Sequence, residues 1–110
     1  MTEAEAAKRL TALSHETRLR IFRTLISKGP EGLPAGQLAE ALDVAPSNLS
    51  AHLNTLNQAG LVMVRRTGRH RFYTVDIDAV AATIGFLVAD CCGGHPDICS
   101  PILETLRPAC

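Results

Sequence analysis

Asp43-Val44-Ala45-Pro46-Ser47-Asn48-Leu49-Ser50-Ala51-His52-Leu53-Asn54-Thr55-Leu56-Asn57-Gln58-Ala59-Gly60 is the most clearly patterned segment of the chain. Its first three residues read as a tight turn. Pro46 suits the first turn of a helix, where its missing N–H would have no intrahelical partner anyway. Leu49, Leu53 and Leu56 then recur at i, i+4 and i+7 until Gly60 supplies a stop. The other face carries Ser47, Asn48, Ser50, His52, Asn54, Thr55, Asn57 and Gln58. All are hydrogen-bonding residues, and none is charged at neutral pH apart from any protonation of His52. Immediately upstream, Gln37 to Leu42 reads as a short helix with Leu38 and Leu42 inward. A short helix, a tight turn and a second helix with a polar outer face form a helix-turn-helix.

Working outward, Leu61 to Arg66 and Arg71 to Asp76 are two β-prone runs around Thr67-Gly68-Arg69-His70, read as a hairpin turning near Gly68. Towards the N-terminus, Ala6, Leu10 and Leu13 give a short helical stripe. Ser14 then offers an N-cap to a second helix carrying Leu19, Phe22, Leu25 and Ile26. Gly29-Pro30 and Gly32 end that helix. Towards the C-terminus, a last long helix runs from about Ile77 to about Asp90 with Val80, Ile84, Leu87 and Val88 on one stripe. Beyond it Pro96, Pro101 and Pro108 leave room only for a short helix around Ile102 to Leu106. The expected fold is mainly α with a β-hairpin wing, a domain over residues 1–90 followed by a Cys-rich tail over 91–110.

The 110 residues suit a single core, and with no Trp and few aromatics that core must come from Leu, Ile, Val and Ala. No stretch resembles a signal-peptide core or a membrane span, so the expectation is a soluble cytoplasmic protein without a membrane partner. Thiols stay reduced in that compartment, which makes Cys91, Cys92, Cys99 and Cys110 ligands or reactive groups rather than a disulfide framework. The zero net charge conceals a segregation. Every Lys and Arg except Arg107 precedes Tyr73, whereas Asp76, Asp78, Asp90, Asp97 and Glu104 follow it. A basic front suits contact with a polyanion.

These features converge on double-stranded DNA. In a helix-turn-helix the second helix enters the major groove, and here Ser47, Asn48, Ser50, His52 and Asn54 are the candidates for base edges and phosphates. Arg65, Arg66, Arg69 and Arg71 on the hairpin are candidates for the backbone or a narrow minor groove. Each part alone has a plainer reading: a polar face is often only solvated, and an Arg-rich turn can simply guard a sheet edge. An enzyme is not expected, because the cysteines have no Gly-rich anion cradle opening a helix and Cys91-Cys92 instead close one.

The run Leu13-Ser14-His15-Glu16-Thr17-Arg18-Leu19-Arg20-Ile21 resembles the opening of ArsR/SmtB-type metalloregulatory repressors. Val44 to Leu56, with Ser50-Ala51-His52-Leu53, and Ala59-Gly60-Leu61-Val62 leading into Arg65-Arg66 are similar to that family's recognition helix and wing. The resemblance covers roughly residues 5 to 90. It implies a winged helix-turn-helix repressor, homodimeric through its first and last helices, that binds a pseudo-palindromic operator and releases it when an inducer binds. Two of the family's ligand patterns are missing. Ala39 to Val44 has no cysteine where arsenic-sensing members carry a thiolate motif. Asp76-Ile77-Asp78 lacks the histidine of the zinc-sensing pattern. The remaining cluster, Cys91, Cys92 and Cys99, resembles the relocated As(III) site of some members.

Trivalent arsenic or antimony takes three thiolates in a pyramid, and soft-ligand matching favours such a site. On an intact helix, neighbouring side chains diverge by about 100°, so Cys91 and Cys92 both reach one ion only if the helix end unwinds. Gly93-Gly94 makes that inexpensive, and Cys99, expected in the loop beyond, closes the triangle. The expected inducer is As(III) or Sb(III). Three other readings stay open at this point: a Zn(II) or Cd(II) site, or one for lead, using His95 as a fourth ligand; a thiol redox switch; and Cys91 as a small buried hydrophobe.

Overall fold

The computed structural model describes residues 1–89 and 96–106. Its elements are α1 (Glu3–Leu13), α2 (Glu16–Lys28), a 3-10 turn (Gly29–Glu31), β1 (Leu33–Pro34), α3 (Ala35–Leu42), α4 (Pro46–Gln58), β2 (Val62–Thr67), β3 (His70–Val75), α5 (Ile77–Val88) and α6 (Pro96–Leu106). This is the expected mainly helical architecture with a hairpin wing. The two-residue β1 is an addition: it pairs antiparallel with β3, so the sheet order is β1-β3-β2. Gly32 leads into it at φ 69, and a Cβ there would run into the Tyr73 carbonyl and the Thr74 methyl. Only glycine lets the two strands approach this closely.

The helix-turn-helix forms as its sequence dictates. α3 ends on Asp43, which adopts left-handed geometry at φ 53, and the Val44 N–H bonds back to the Ala39 carbonyl at 3.1 Å. Pro46 opens α4 at its first position. Leu49, Leu53 and Leu56 are buried against Ile21, Leu25, Leu38, Leu61 and Val62, an aliphatic core without tryptophan. The hairpin closes on Thr67 opposite His70. Gly68, at φ 63, takes the first central position that a II′ turn reserves for glycine.

Four local expectations are corrected. Ser14 closes α1, its N–H and Oγ both donating to the Thr11 carbonyl, and His15 caps α2 by accepting the Thr17 N–H at Nδ1 (3.1 Å). In α2 the buried pair is Ile21 and Leu25, while Leu19 and Ile26 face solvent. In α1 it is Ala6 and Ala12 that are buried, and Leu10 is exposed. Each helix keeps part of its expected stripe: Ala6 and Leu25 are buried, and Leu13 and Phe22 pack against the core. Finally, α6 spans eleven residues with Pro101 inside, rather than a short segment after it. Pro96 presets its first turn, and Pro101 removes only one N–H from the ladder.

α5 is capped by Asp76, whose Oδ1 accepts the Ala79 N–H at 3.1 Å. It buries Ala79 and Thr83 against its own chain. The apolar stripe read from the sequence is largely left outside: Ile84 and Leu87 are exposed and Val80 is half-buried.

Candidate DNA-binding surface and cysteine tail

On α4 the helical turn separates two kinds of polar residue. Ser47, Asn48, Ser50 and Asn54 lie on the exposed side, away from Leu49, Leu53 and Leu56. Asn57 and His52 lie at the margins of the buried stripe and are engaged within the protein. Asn57 Nδ2 donates to the Val62 carbonyl at 2.8 Å, fixing the helix to the wing. His52 is half-buried, with its ring 4.7 Å from that of His15 and its Nδ1 3.4 Å from Arg18 Nη1. A guanidinium only donates, so in this contact Nδ1 can serve only as acceptor. Burial first, then His15, then the Arg18 cation push the His52 pKa below its ordinary value. The N-terminus of α4 begins at Ala45 with no side-chain cap. Its first-turn N–H groups are therefore available to an anion, at the positive end of the helix dipole.

The wing divides its arginines by face. Arg65 lies opposite Phe72, its guanidinium 4.9 Å above the ring, and donates to the Glu31 carbonyl (3.0 Å) and to Thr67 Oγ1 (3.1 Å). It holds the sheet to the turn after α2. Arg66 and Arg71 pair directly across the strands on the other face, and Arg69 sits in the turn; all three are exposed. Two like charges directly opposite each other destabilise a hairpin. A phosphate backbone laid along this face removes that repulsion.

The cysteine tail is placed only in part. Cys91, Cys92 and His95 lie outside the described residues, as does Cys110, and so does the proposed unwinding at Gly93-Gly94. The backbone of Cys99 belongs to α6, not to a loop. Among the described residues no group of three His, Cys, Asp or Glu side chains gathers as a metal site, and no helix is long and apolar enough to cross a membrane.

An uncapped recognition helix beside an arginine-bearing hairpin defines a winged helix-turn-helix DNA-binding protein. Comparison with known proteins agrees. A helix-turn-helix domain family profile matches residues 13–65. The HTH-type transcriptional regulator YceK of Bacillus subtilis is 36% identical over 69% of this chain and 76% of its own. A putative arsenical resistance operon repressor, ArsR, of Halobacterium salinarum is 42% identical over 58% of this chain and 49% of its own. Among solved structures, an ArsR-like regulator from Rhodococcus sp. RHA1 superposes with a TM-score of 0.71 at 29% identity, covering 97% of this chain and 96% of that one. A homodimeric winged helix-turn-helix domain from Mycobacterium bovis, a possible ArsR-family regulator, gives 0.64 at 28% identity over 79% and 80%. The chain belongs to the ArsR family of winged helix-turn-helix transcriptional regulators.

Proposed function

We propose that the chain is an arsenic-responsive repressor that holds operator DNA as a homodimer and releases it when As(III) or Sb(III) binds Cys91, Cys92 and Cys99. The observation that carries this reading is the order of parts along the chain. The DNA-facing helix-turn-helix and wing are followed by α5, whose Ile84 and Leu87 stay exposed among the described residues, and α5 leads towards three thiols. Exposed Leu10, Ile84 and Leu87 on α1 and α5 support dimerisation through these helices. The homodimeric Mycobacterium bovis domain and the halobacterial arsenical repressor support the same reading.

Chemically, three thiolates suit a trivalent metalloid with a lone pair. Cys99 falls in the first turn of α6, a backbone position where the positive end of a helix dipole favours an anionic ligand. Drawing this turn towards Cys91 and Cys92 pulls on the end of α5, and so changes how two recognition helices meet the operator. The test is a DNA-release assay with As(III), Sb(III), Zn(II), Cd(II) and peroxide in separate titrations. Release by As(III) and Sb(III) at stoichiometric concentration is expected. Release by Zn(II) or Cd(II) alone indicates a site completed by His95, and release by peroxide alone a redox switch; either outcome overturns the arsenic reading.

A further inference from the structure

Arg9 lies on α1, outside the DNA-facing surface, yet its guanidinium joins three elements. Nε donates to the carbonyl of Ala59, the C-cap of α4, at 3.2 Å. Nη1 donates to the Ala79 carbonyl in the first turn of α5 at 3.1 Å and to Thr83 Oγ1 one turn on at 3.0 Å. Thr83 is 5% exposed, and its hydroxyl donates in turn to the Ala79 carbonyl at 2.7 Å. All three acceptors of Arg9 are neutral oxygens. The Ala59 carbonyl stands at the negative end of the α4 dipole, where a helix leaves acceptors without intrahelical donors.

A second tie runs beside the first. Asp76, which caps α5, donates its own N–H to the Leu61 carbonyl at 2.9 Å. Residues 59–61 and 76–83 thus form one joint, from which the recognition helix leaves in one direction and α5 in the other. Packing alone would not call for a cation here, since a charge drawn partly out of water must be repaid in hydrogen bonds. What a guanidinium adds is a planar fork of fixed directions, which constrains the relative positions of its acceptors as a lysine does not.

We propose that Arg9, acting on Thr83 and Ala59, is the positioning residue that couples α5 to the recognition helix. A turn of α5 about its axis carries the Ala79 carbonyl and Thr83 Oγ1 with it, and the fork passes that displacement to Ala59 and the orientation of α4. Arg9 touches neither DNA nor inducer in this role. Coupling of this kind is reciprocal, so operator bound to α4 must also be felt along α5. The strut is independent of what the tail binds; only its use in induction rests on the arsenic reading above.

The test is residue-resolved amide exchange on the full chain with and without operator DNA, in wild type, Arg9→Lys, Thr83→Val and Thr83→Ser. Operator slows exchange of the Val80–Leu87 amides by about tenfold or more in wild type and in Thr83→Ser, which keeps the hydroxyl. In Arg9→Lys and Thr83→Val that slowing falls to about twofold or less, while operator affinity stays within about threefold of wild type. Should Arg9→Lys fail to fold, Thr83→Val carries the test. Wild-type slowing retained in Thr83→Val, or none in wild type, overturns the coupling. A parallel titration with arsenite separates the two readings. If arsenite leaves the wild-type complex intact while the exchange linkage persists, the arsenic reading falls and the coupling stands. If arsenite releases Thr83→Val and Arg9→Lys as fully as wild type, the strut's use in induction is overturned, and the exchange data alone decide the coupling.

Discussion

Arg65, Arg66 and Arg71 are three of the four arginines within seven positions, and the register assigns them to different work. Arg65 is bonded to Glu31 and stacked on Phe72, whereas Arg66 and Arg71 face each other across the strands. Arg66→Ala should therefore weaken operator binding and lower the slope of log affinity against log salt by about 0.9 per lost phosphate contact. The same change relieves like-charge repulsion, so thermal stability should hold or rise by about 0.2–1 kcal/mol. Arg65→Ala should do the reverse, lowering stability with a smaller change in salt slope. Equal effects of both on the salt slope would contradict the division. His52 gives a second prediction. Its folded-state pKa lies below 6.5, so on acidification the unfolded chain takes up the proton first. Its contribution to stability is present above about pH 6.5 and is lost as the pH falls through the folded value. A proton NMR titration should place the His52 midpoint below 6.5, and the acid-induced fall in denaturant midpoint should shrink in His52→Gln. The sequence showed both residues as polar and surface-prone. It could not show that Arg18 or Glu31 would occupy them, because those partners come from elements distant along the chain.

Elements were most legible where periodicity and punctuation agree. α4 is bracketed by Pro46 and Gly60, repeats leucine on one side and fills the other with amides and hydroxyls; every cue points the same way. The hairpin is equally plain from Gly68. α1 and α2 were legible as helices but only partly in their buried faces: Ala6 and Leu25 are buried as their spacing suggests, while Leu10, Leu19 and Ile26 are apolar yet exposed and Ala12 and Ile21 join the core instead. Two-residue β1 is too short for any alternation to reveal, and the rule that proline ends helices hid most of α6. Gly32 is the signal that could have located β1. Gly32→Ala forces a side chain into the Tyr73 carbonyl at positive φ, and should destabilise the fold by at least about 1 kcal/mol in chemical denaturation. Leu53→Ala, in the fully buried seam between α4 and the rest of the core, should cost about 2–5 kcal/mol. A loss below 1 kcal/mol for Leu53→Ala would mean that α4 is not seated as described.

Across the whole molecule, the basic residues of the front lie on α1, α2 and the wing, with no Lys or Arg on α3 or α4, and the acidic tail begins at the cap of α5. The uncovered apolar residues of α1 and α5 give the proposed dimer its surface. Leu87→Asp, at a position half exposed in the protomer, should shift sedimentation towards the monomer and weaken operator binding without lowering helix content. A dimer of unchanged affinity would move the interface elsewhere. The proposed cysteine site rests on composition and spacing alone, since Cys91 and Cys92 lie outside the described residues. The most direct test of the account is arsenite titration of the operator complex, followed by fluorescence anisotropy, for wild type and the four single Cys→Ser variants at 91, 92, 99 and 110. The account predicts that wild type and Cys110→Ser release DNA while Cys91→Ser, Cys92→Ser and Cys99→Ser bind it and stay bound. Full release by Cys99→Ser, or retention by wild type, would contradict it.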